Sequence, residues 1–291
     1  MFDLIFAVIT QSLTFLPLAL AISISYSILR ATDMTLDGSF VLGAGVFALL
    51  VTLGFSPYFA GFAALFAGSL SGVMVASIQR GGRVDPLLAG VLATFILTSV
   101  NLIIMGRPNI NLLSQHTLVS DAFAKSDLKG WLLIAIYSSI ICIASCVLIR
   151  TRFGLLLRAL GDNASLLKRL GAPIELYRVA GFAFTNMLAA ASGMLTAQTV
   201  GYADISMGFG MTLTGIGAIL LGQQIIRVIL KKSIHRIFLE FTACLIGVIL
   251  YFFAINSLLR LDINPVYLKM ILGCILILFL RSASSPLRTA S

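Results

Sequence analysis

The sequence predicts an all-α polytopic membrane protein of about nine transmembrane helices, within bounds of eight to ten. Three observations carry that prediction. Hydrophobic residues make up 59% and charged residues 11% of 291 positions, against soluble averages of about 45–50% and 25%. Apolar runs long enough to cross ~30 Å of hydrocarbon recur along the whole chain. The polar intervals between them are short, the longest being residues 106–130 and 150–178. The chain therefore reads as a single transmembrane domain over 1–291, with no soluble domain.

Clear spans are predicted at residues 4–29, 58–78, 87–105, 131–149, 179–199, 237–256 and 266–280. Met1-Phe2-Asp3 lacks the positive start of a secretory signal, and no small-residue cleavage pattern follows, so the first apolar run reads as a span. In the third span from the N-terminus, Ala64, Gly68 and Gly72 repeat every four residues. Small residues at that spacing let helix backbones approach closely.

Two further segments, residues 40–53 and 210–221, are short: about 21 and 18 Å of helix at 1.5 Å per residue. They lie within TLDGSFVLGAGVFALLV (residues 35–51) and ISMGFGMTLTGIGAILLG (residues 205–222), both interrupted by glycine. Falling five spans apart, the two would cross in opposite directions. Paired Gly-broken segments in two halves of a chain point to discontinuous helices beside a transport site. Re-entrant helices related by an inverted repeat are one reading, and two ordinary short spans are the other. On the first reading Asp37, followed by Ser39 and Phe40, lies near a pathway. On the second, Asp33 and Asp37 sit in a cytoplasmic turn. An unpaired Asp inside the membrane costs about 2.5–3.5 kcal/mol, so a buried position demands a partner.

Basic residues set the orientation, because Lys and Arg stay on the cytoplasmic side. With nine spans and the 150–178 loop inside, 15 of the 20 basic residues fall inside. Only Arg107, Lys125, Lys129, Arg260 and Lys269 fall outside. An N-terminus outside and a C-terminus inside are expected. The net charge of +9 then describes a collar facing membrane lipid, dispersed among loops, and gives no footprint for nucleic acid. Cys142, Cys146, Cys244 and Cys274 lie in apolar spans and read as packing residues. No Cys/His cluster has ligand spacing, so no metal is expected.

Polar side chains inside the spans are the candidates for contact with a solute. Thr94, Thr98 and Asn101 form one stripe at i, i+4 and i+7. Asn186 and Gln198 occupy a later span, and Thr212 and Thr214 the second short one. Hydrogen bonding between helices is the bland reading of each, at ~0.6 kcal/mol on average.

The interval RTRFGLLLRALGDNASLLKRLGAPIELYR (residues 150–178) has a helix start and a helix stop. Asp162 or Asn163 can cap by accepting from backbone N–H groups. Two turns follow, through Lys168 and Arg169, until Gly171 offers a left-handed end and Pro173 blocks continuation. Leu166, Leu167 and Leu170 are expected to share one face, which lies on the membrane surface or fills an apolar groove in a cytoplasmic partner.

At these residues a resemblance appears. RALGDNASLLKRLGAPIELYRVAGFAFTNMLAAASGML resembles the coupling-helix region of bacterial ABC importer permeases of the branched-chain amino acid and ribose permease family. Arg158, Ala159, Gly161, Asp162, Asn163 and Gly171 match its pattern, while Ala172-Pro173 stands where an aliphatic residue is usual. DMTLDGSFVLGAG, residues 33–45, is similar to the loop after the first span in a subgroup linked with aromatic amino acid uptake. The resemblance implies a permease in the bacterial cytoplasmic membrane that moves a small polar solute, such as an amino acid, by alternating access. It implies three partners: a second permease subunit, expected to be an identical copy, a cytoplasmic ATPase dimer, and an extracytoplasmic substrate-binding protein. ATP and Mg²⁺ would sit on the ATPase, since this chain has no GxxxxGK[ST] phosphate loop.

An ion-coupled secondary transporter is the rival reading, but it would want acidic residues at the midplane. The spans are nearly free of them, Glu240 and Asp37 excepted, which favours an external energy source. A membrane enzyme would need a nucleophile with a base, or a metal cluster, and neither is visible. Sugars and nucleosides stand behind amino acids as the solute.

Overall fold

Helix caps punctuate the chain where the sequence supplies them, and the computed structural model follows that punctuation. It describes residues 2–80, 84–229 and 236–261, with positions 267, 270 and 273. The expected span at 266–280 lies outside the described residues, as do Arg83, Lys231, Lys232, His235 and Cys274. Among the described residues, eight helices are long and apolar enough to cross a membrane.

Helix α1 (Phe2–Ser23) runs into a π-helical turn, Ile24–Ile28, and ends at Arg30 in the left-handed region with φ 50°. An extended connection then leads to α2 (Thr35–Thr52). Helix α3 (Pro57–Ile78) opens on Ser56, whose hydroxyl accepts from Phe59 N–H. Helix α4 (Pro86–Met105) opens on Asp85, which accepts from Leu87 N–H, and closes on left-handed Gly106. Both carry proline in the first turn, where no N–H is needed. Strand β1 (Asn109–Asn111) and the short helix α5 (Leu118–Lys125), begun by a Thr117/Ser120 capping box, fill the next loop. Helix α6 (Asp127–Arg150) leads to α7 (Arg152–Arg169), which is broken at Asn163 (φ −156°, ψ 84°). Helix α8 (Ile174–Val200) follows, then β2 (Tyr202–Asp204), a 3₁₀ turn Ile205–Gly208, α9 (Met211–Ile229) and α10 (Arg236–Arg260).

Helix α8 is the axis of the bundle, packed against α1, α2 and α3. Small residues make this possible. A Cβ at Gly68 would strike the Asn186 carbonyl, and one at Gly72 the Phe182 carbonyl. The Ala64/Gly68/Gly72 face is therefore a backbone-to-backbone seam, as its spacing predicts. Strands β1 and β2 pair antiparallel, Asn109 opposite Asp204, and tie two loops together at one end of the bundle.

The two Gly-interrupted segments separate here. Helix α2 is continuous over Thr35–Thr52, about 27 Å at 1.5 Å per residue, so the expectation of a short first segment is corrected. Its glycines do not interrupt it; Gly43 lies against the α8 backbone at Ala190. The second segment is broken: the chain passes through a strand, a 3₁₀ turn and left-handed Gly210 before α9 begins. Helix α9 then continues to Ile229, beyond the expected 221.

Candidate functional site

Two stretches outside the α-helices enter the bundle, residues 29–34 ahead of α2 and 201–210 ahead of α9, and each leads to a helix start held by an aspartate. Asp33 accepts from Thr35 N–H at 2.9 Å and from Asn186 Nδ2 at 2.9 Å. It is 2% exposed, so neither a solvated turn nor an unpaired buried charge describes it. Burial pushes its carboxyl above the usual carboxylate range, against hydrogen bonds from Thr35 and Asn186 that hold it down. The network continues through Ser39, which donates to Asn186 Oδ1 at 2.6 Å and lies 2.7 Å from the Ser71 hydroxyl.

Asp37 lies one turn into α2 and caps α9. Its Oδ2 accepts from Gly210 N–H at 3.0 Å; its Oδ1 accepts from Thr212 N–H and the Thr212 hydroxyl, both at 2.6 Å. A carboxylate at a helix N-terminus satisfies exposed N–H groups and meets the positive end of the helix dipole. The charge that makes Asp37 look foreign to a span is thereby used in joining two helices.

Beside this joint is an open cavity of about 260 Å³, lined by α2 (Asp37, Gly38, Val41), α4 (Thr94, Thr98, Asn101) and the broken stretch (Ile205, Ser206, Gly208, Phe209). Asp37, Thr94, Thr98 and Asn101, candidates drawn from separate segments, thus meet on one wall. Other candidates lie elsewhere. Ser39, Phe40 and Asn186 are fully enclosed between helices. Thr212 is buried against Asp37, and the Thr214 hydroxyl donates to the Met211 carbonyl. Gln198 lines a separate, apolar cavity of about 210 Å³ with Tyr58 and Tyr137. Phe209, exposed between two glycines, was missing from the candidates because an aromatic residue in an apolar run carries no polar signal. Ser71 was missing too, since nothing local marks a serine whose partner is 32 residues away.

At one end of the bundle, α7 meets α6, α8 and the π turn. Asn163 leaves the helical region and accepts from the Ser165 hydroxyl at 2.7 Å, so a new helix begins there. It ends in a Schellman motif: Ala172 N–H reaches the Leu167 carbonyl at 3.2 Å, Gly171 N–H the Lys168 carbonyl at 3.1 Å, and Gly171 has φ 75°. The predicted start and stop are both present. The expected leucine face is not. Leu167 is 6% exposed within the chain's own core, whereas Leu170 is 72% exposed. Helix α7 ends at Arg169, so Leu170 lies in the turn beyond it and not one helical turn above Leu167, which packs into the core. The Leu166 side chain lies outside what the structure describes. Asp162, Asn163, Lys168, Arg169, Leu170 and Gly171 are exposed, with Gly161 half-buried. A Cβ on Gly161 would strike the Ile28 carbonyl, and Arg30 Nη2 pairs with Asp162 Oδ1 at 2.6 Å.

An apolar bundle, a broken helix beside an open cavity and a short helix offered at one end fit a transport subunit, and the comparisons agree. The chain belongs to the family described as branched-chain amino acid transport system / permease component, whose pattern matches residues 4–280. It is 44% identical over 281 residues to an uncharacterized protein of Rickettsia prowazekii (strain Madrid E), covering 96% of this chain and 98% of that one. It is 32% identical to the tyrosine transport system permease protein of Clostridioides difficile (strain R20291), covering 96% and 91%. Similarity to the ribose import permease protein of Escherichia coli (strain K12) is 24%, over 84% and 74%. The protein is an integral membrane permease component of an ABC transporter.

Proposed function

We propose that this chain is the membrane subunit of an amino acid importer in the bacterial cytoplasmic membrane, with an aromatic amino acid as its first-choice solute. The solute assignment is supported by 32% identity over nearly the whole length of a tyrosine transport permease, against 24% for a ribose permease. A substrate-binding protein delivers the solute on the outer side, and a second copy of this chain completes the passage. A cytoplasmic ATPase dimer holds ATP and Mg²⁺ and drives alternating access. Energy enters as the differential affinity of ATP for the two states, since a ligand shifts an equilibrium only by that difference.

The observation that carries the reading is the short helix after Asn163. It stands at the end rich in Arg30, Arg150, Arg152, Arg158 and Arg178, is closed at its C-terminus by its own Schellman turn, and leaves Lys168, Arg169 and Leu170 uncovered. An N-terminus outside and a C-terminus inside follow if that basic end is cytoplasmic.

Capture of the ATPase tests it. Detergent-solubilised chain, co-expressed with an ABC ATPase of the same genome, should retain the ATPase on affinity purification. Leu170→Glu/Lys168→Glu should lose at least 90% of it while eluting as the same monodisperse species. Wild-type protein that is folded yet retains no ATPase would overturn the docking assignment.

A further inference from the structure

At the end of the bundle that carries α7, beside the start of α4, lies a second open cavity of about 410 Å³. Its polar lining is Arg30, Gln79, Asp85 and Arg178, and its apolar lining includes Leu160 and Phe182. A guanidinium carries five N–H donors in a planar fork, and neither arginine has all of its donors engaged. Arg30 uses Nη2 on Asp162 at 2.6 Å, in a pair whose members are both well exposed. Arg178 Nη1 lies 3.8 Å from Glu175 Oε1, beyond hydrogen-bond length. Asp85, the acidic residue of the lining, accepts from Leu87 N–H at 2.9 Å as the cap of α4. Two cations against one carboxylate leave the lining at +1, the complement of a single phosphodiester.

Gln79 is an independent sign of an occupant. It is 3% exposed, and its Nε2 makes no hydrogen bond. Buried donors left unpaired are costly and rare. The amide forms part of the cavity wall, and its terminal torsion is soft, so a small turn presents an N–H to an acceptor there. Beside the cavity, the outer face of α4 is apolar: Leu88, Leu92 and Phe95 are exposed at i, i+4 and i+7 beyond Pro86. An occupant with an anionic head and long apolar tails satisfies the cavity and this stripe together, whereas a soluble anion satisfies the cavity alone.

We propose that this cavity holds the phosphate of an anionic phospholipid of the phosphatidylglycerol class, drawn from the cytoplasmic leaflet, with its acyl chains along the α4 stripe. Arginine takes phosphate oxygens bidentately, and basic pockets between membrane helices on the cytoplasmic side suit phospholipid head groups. The inference rests on the orientation given above and is independent of the solute. Arg30 also pairs with Asp162, so the head group and the α7 segment meet at one guanidinium, where bound lipid can bias the coupling of the two.

Native mass spectrometry of the full chain in detergent, with no ATPase present, tests the site. The probes are phosphatidylglycerol, phosphatidylcholine with the same acyl chains, whose choline cancels the phosphate charge, and inorganic phosphate. Wild-type protein should retain phosphatidylglycerol at least ten-fold more than phosphatidylcholine, and excess inorganic phosphate should not displace it. Arg178→Gln and Arg30→Gln should each retain about five-fold less, the change that one arginine beside an anionic lipid supplies. Gln79→Leu, which keeps the bulk and removes the amide, should weaken retention several-fold. Arg152→Gln, an exposed cation of the same end outside the cavity, should retain as much as wild type. Equal retention of the two lipids, displacement by inorganic phosphate, a loss in Arg152→Gln as large as in Arg178→Gln, or no lipid on folded wild-type protein would each overturn the proposal. Arg30→Gln, at an exposed side chain, keeps the test decisive if Arg178→Gln fails to fold. Retention in detergent depends on neither orientation nor the ATPase, so its failure is distinct from failure of the docking assignment.

Discussion

Asp33 shows how a charge is accommodated inside this bundle. Enclosing a carboxylate is costly unless its lone pairs are engaged, and here Thr35 and Asn186 engage them. Asn186→Ala should therefore destabilise by about 1.5–3 kcal/mol, the range for a hydrogen bond to a charged group. Asp33→Asn alone keeps one oxygen for two donors, so Thr35 N–H or Asn186 Nδ2 is left facing an NH2 group, and it should also destabilise. The transposed pair, Asp33→Asn with Asn186→Asp, restores a donor opposite an acceptor and still offers an oxygen to Ser39. Thermal unfolding of the four proteins should give a coupling energy of about 0.5–3 kcal/mol; strictly additive losses would show that the pair does not interact. The sequence left Asp33 open between a turn and a pathway for a physical reason. Its cost depends on a partner 153 residues away, and no local pattern reports such a contact. The Thr94, Thr98 and Asn101 stripe was legible because helical periodicity alone puts three polar groups on one face.

Among the elements, the short helix after Asn163 is joined to the segment that begins α2. Arg30 pairs with Asp162, Gly161 lies against the Ile28 carbonyl, and three residues beyond Arg30 comes Asp33 at the foot of α2. Both members of the ion pair are well exposed, so it contributes little to stability, ~0–1 kcal/mol at most. Its value is positional. Arg30 also holds a left-handed backbone that glycine adopts without strain, so Arg30→Gly should leave the unfolding midpoint within a few degrees of wild type. In proteoliposomes with its ATPase and binding protein, the same variant should hydrolyse ATP but transport several-fold less per ATP. Unchanged transport per ATP would remove the pair from the coupling path. Gly161→Val is the contrasting case: its side chain must displace the Ile28 backbone, so lower stability and lower recovery of folded protein are expected, and a wild-type melting curve would refute the close approach. The break at Asn163 and the left-handed end at Gly171 were legible because helix start and stop signals are local chemistry. The length of α2 was not, since Asp37 looks like a loop residue until its bonds to Gly210 and Thr212 are seen.

For the whole molecule, the joint at Asp37 gives the bundle its character. One non-helical stretch reaches it from the end that carries Arg30 and α7, and the other from the end where β1 pairs with β2. Helix starts that meet inside a membrane bundle, approached from opposite faces, are the geometry expected of an alternating passage. If so, the β1–β2 end faces the binding protein and the α7 end the ATPase. Basic residues divide accordingly: Arg150, Arg152, Arg158, Lys168, Arg169 and Arg178 cluster about α7, while Arg107, Lys129 and Arg260 lie at helix ends on the other side. Labelling fixes the direction. With Cys142, Cys146, Cys244 and Cys274 replaced by serine or alanine, Ser114→Cys in the exposed loop after β1 should react with a membrane-impermeant maleimide in intact spheroplasts. Lys168→Cys should react only after the membrane is opened. The reverse pattern would turn the molecule over, placing the short capped helix outside and beyond the reach of any cytoplasmic ATPase.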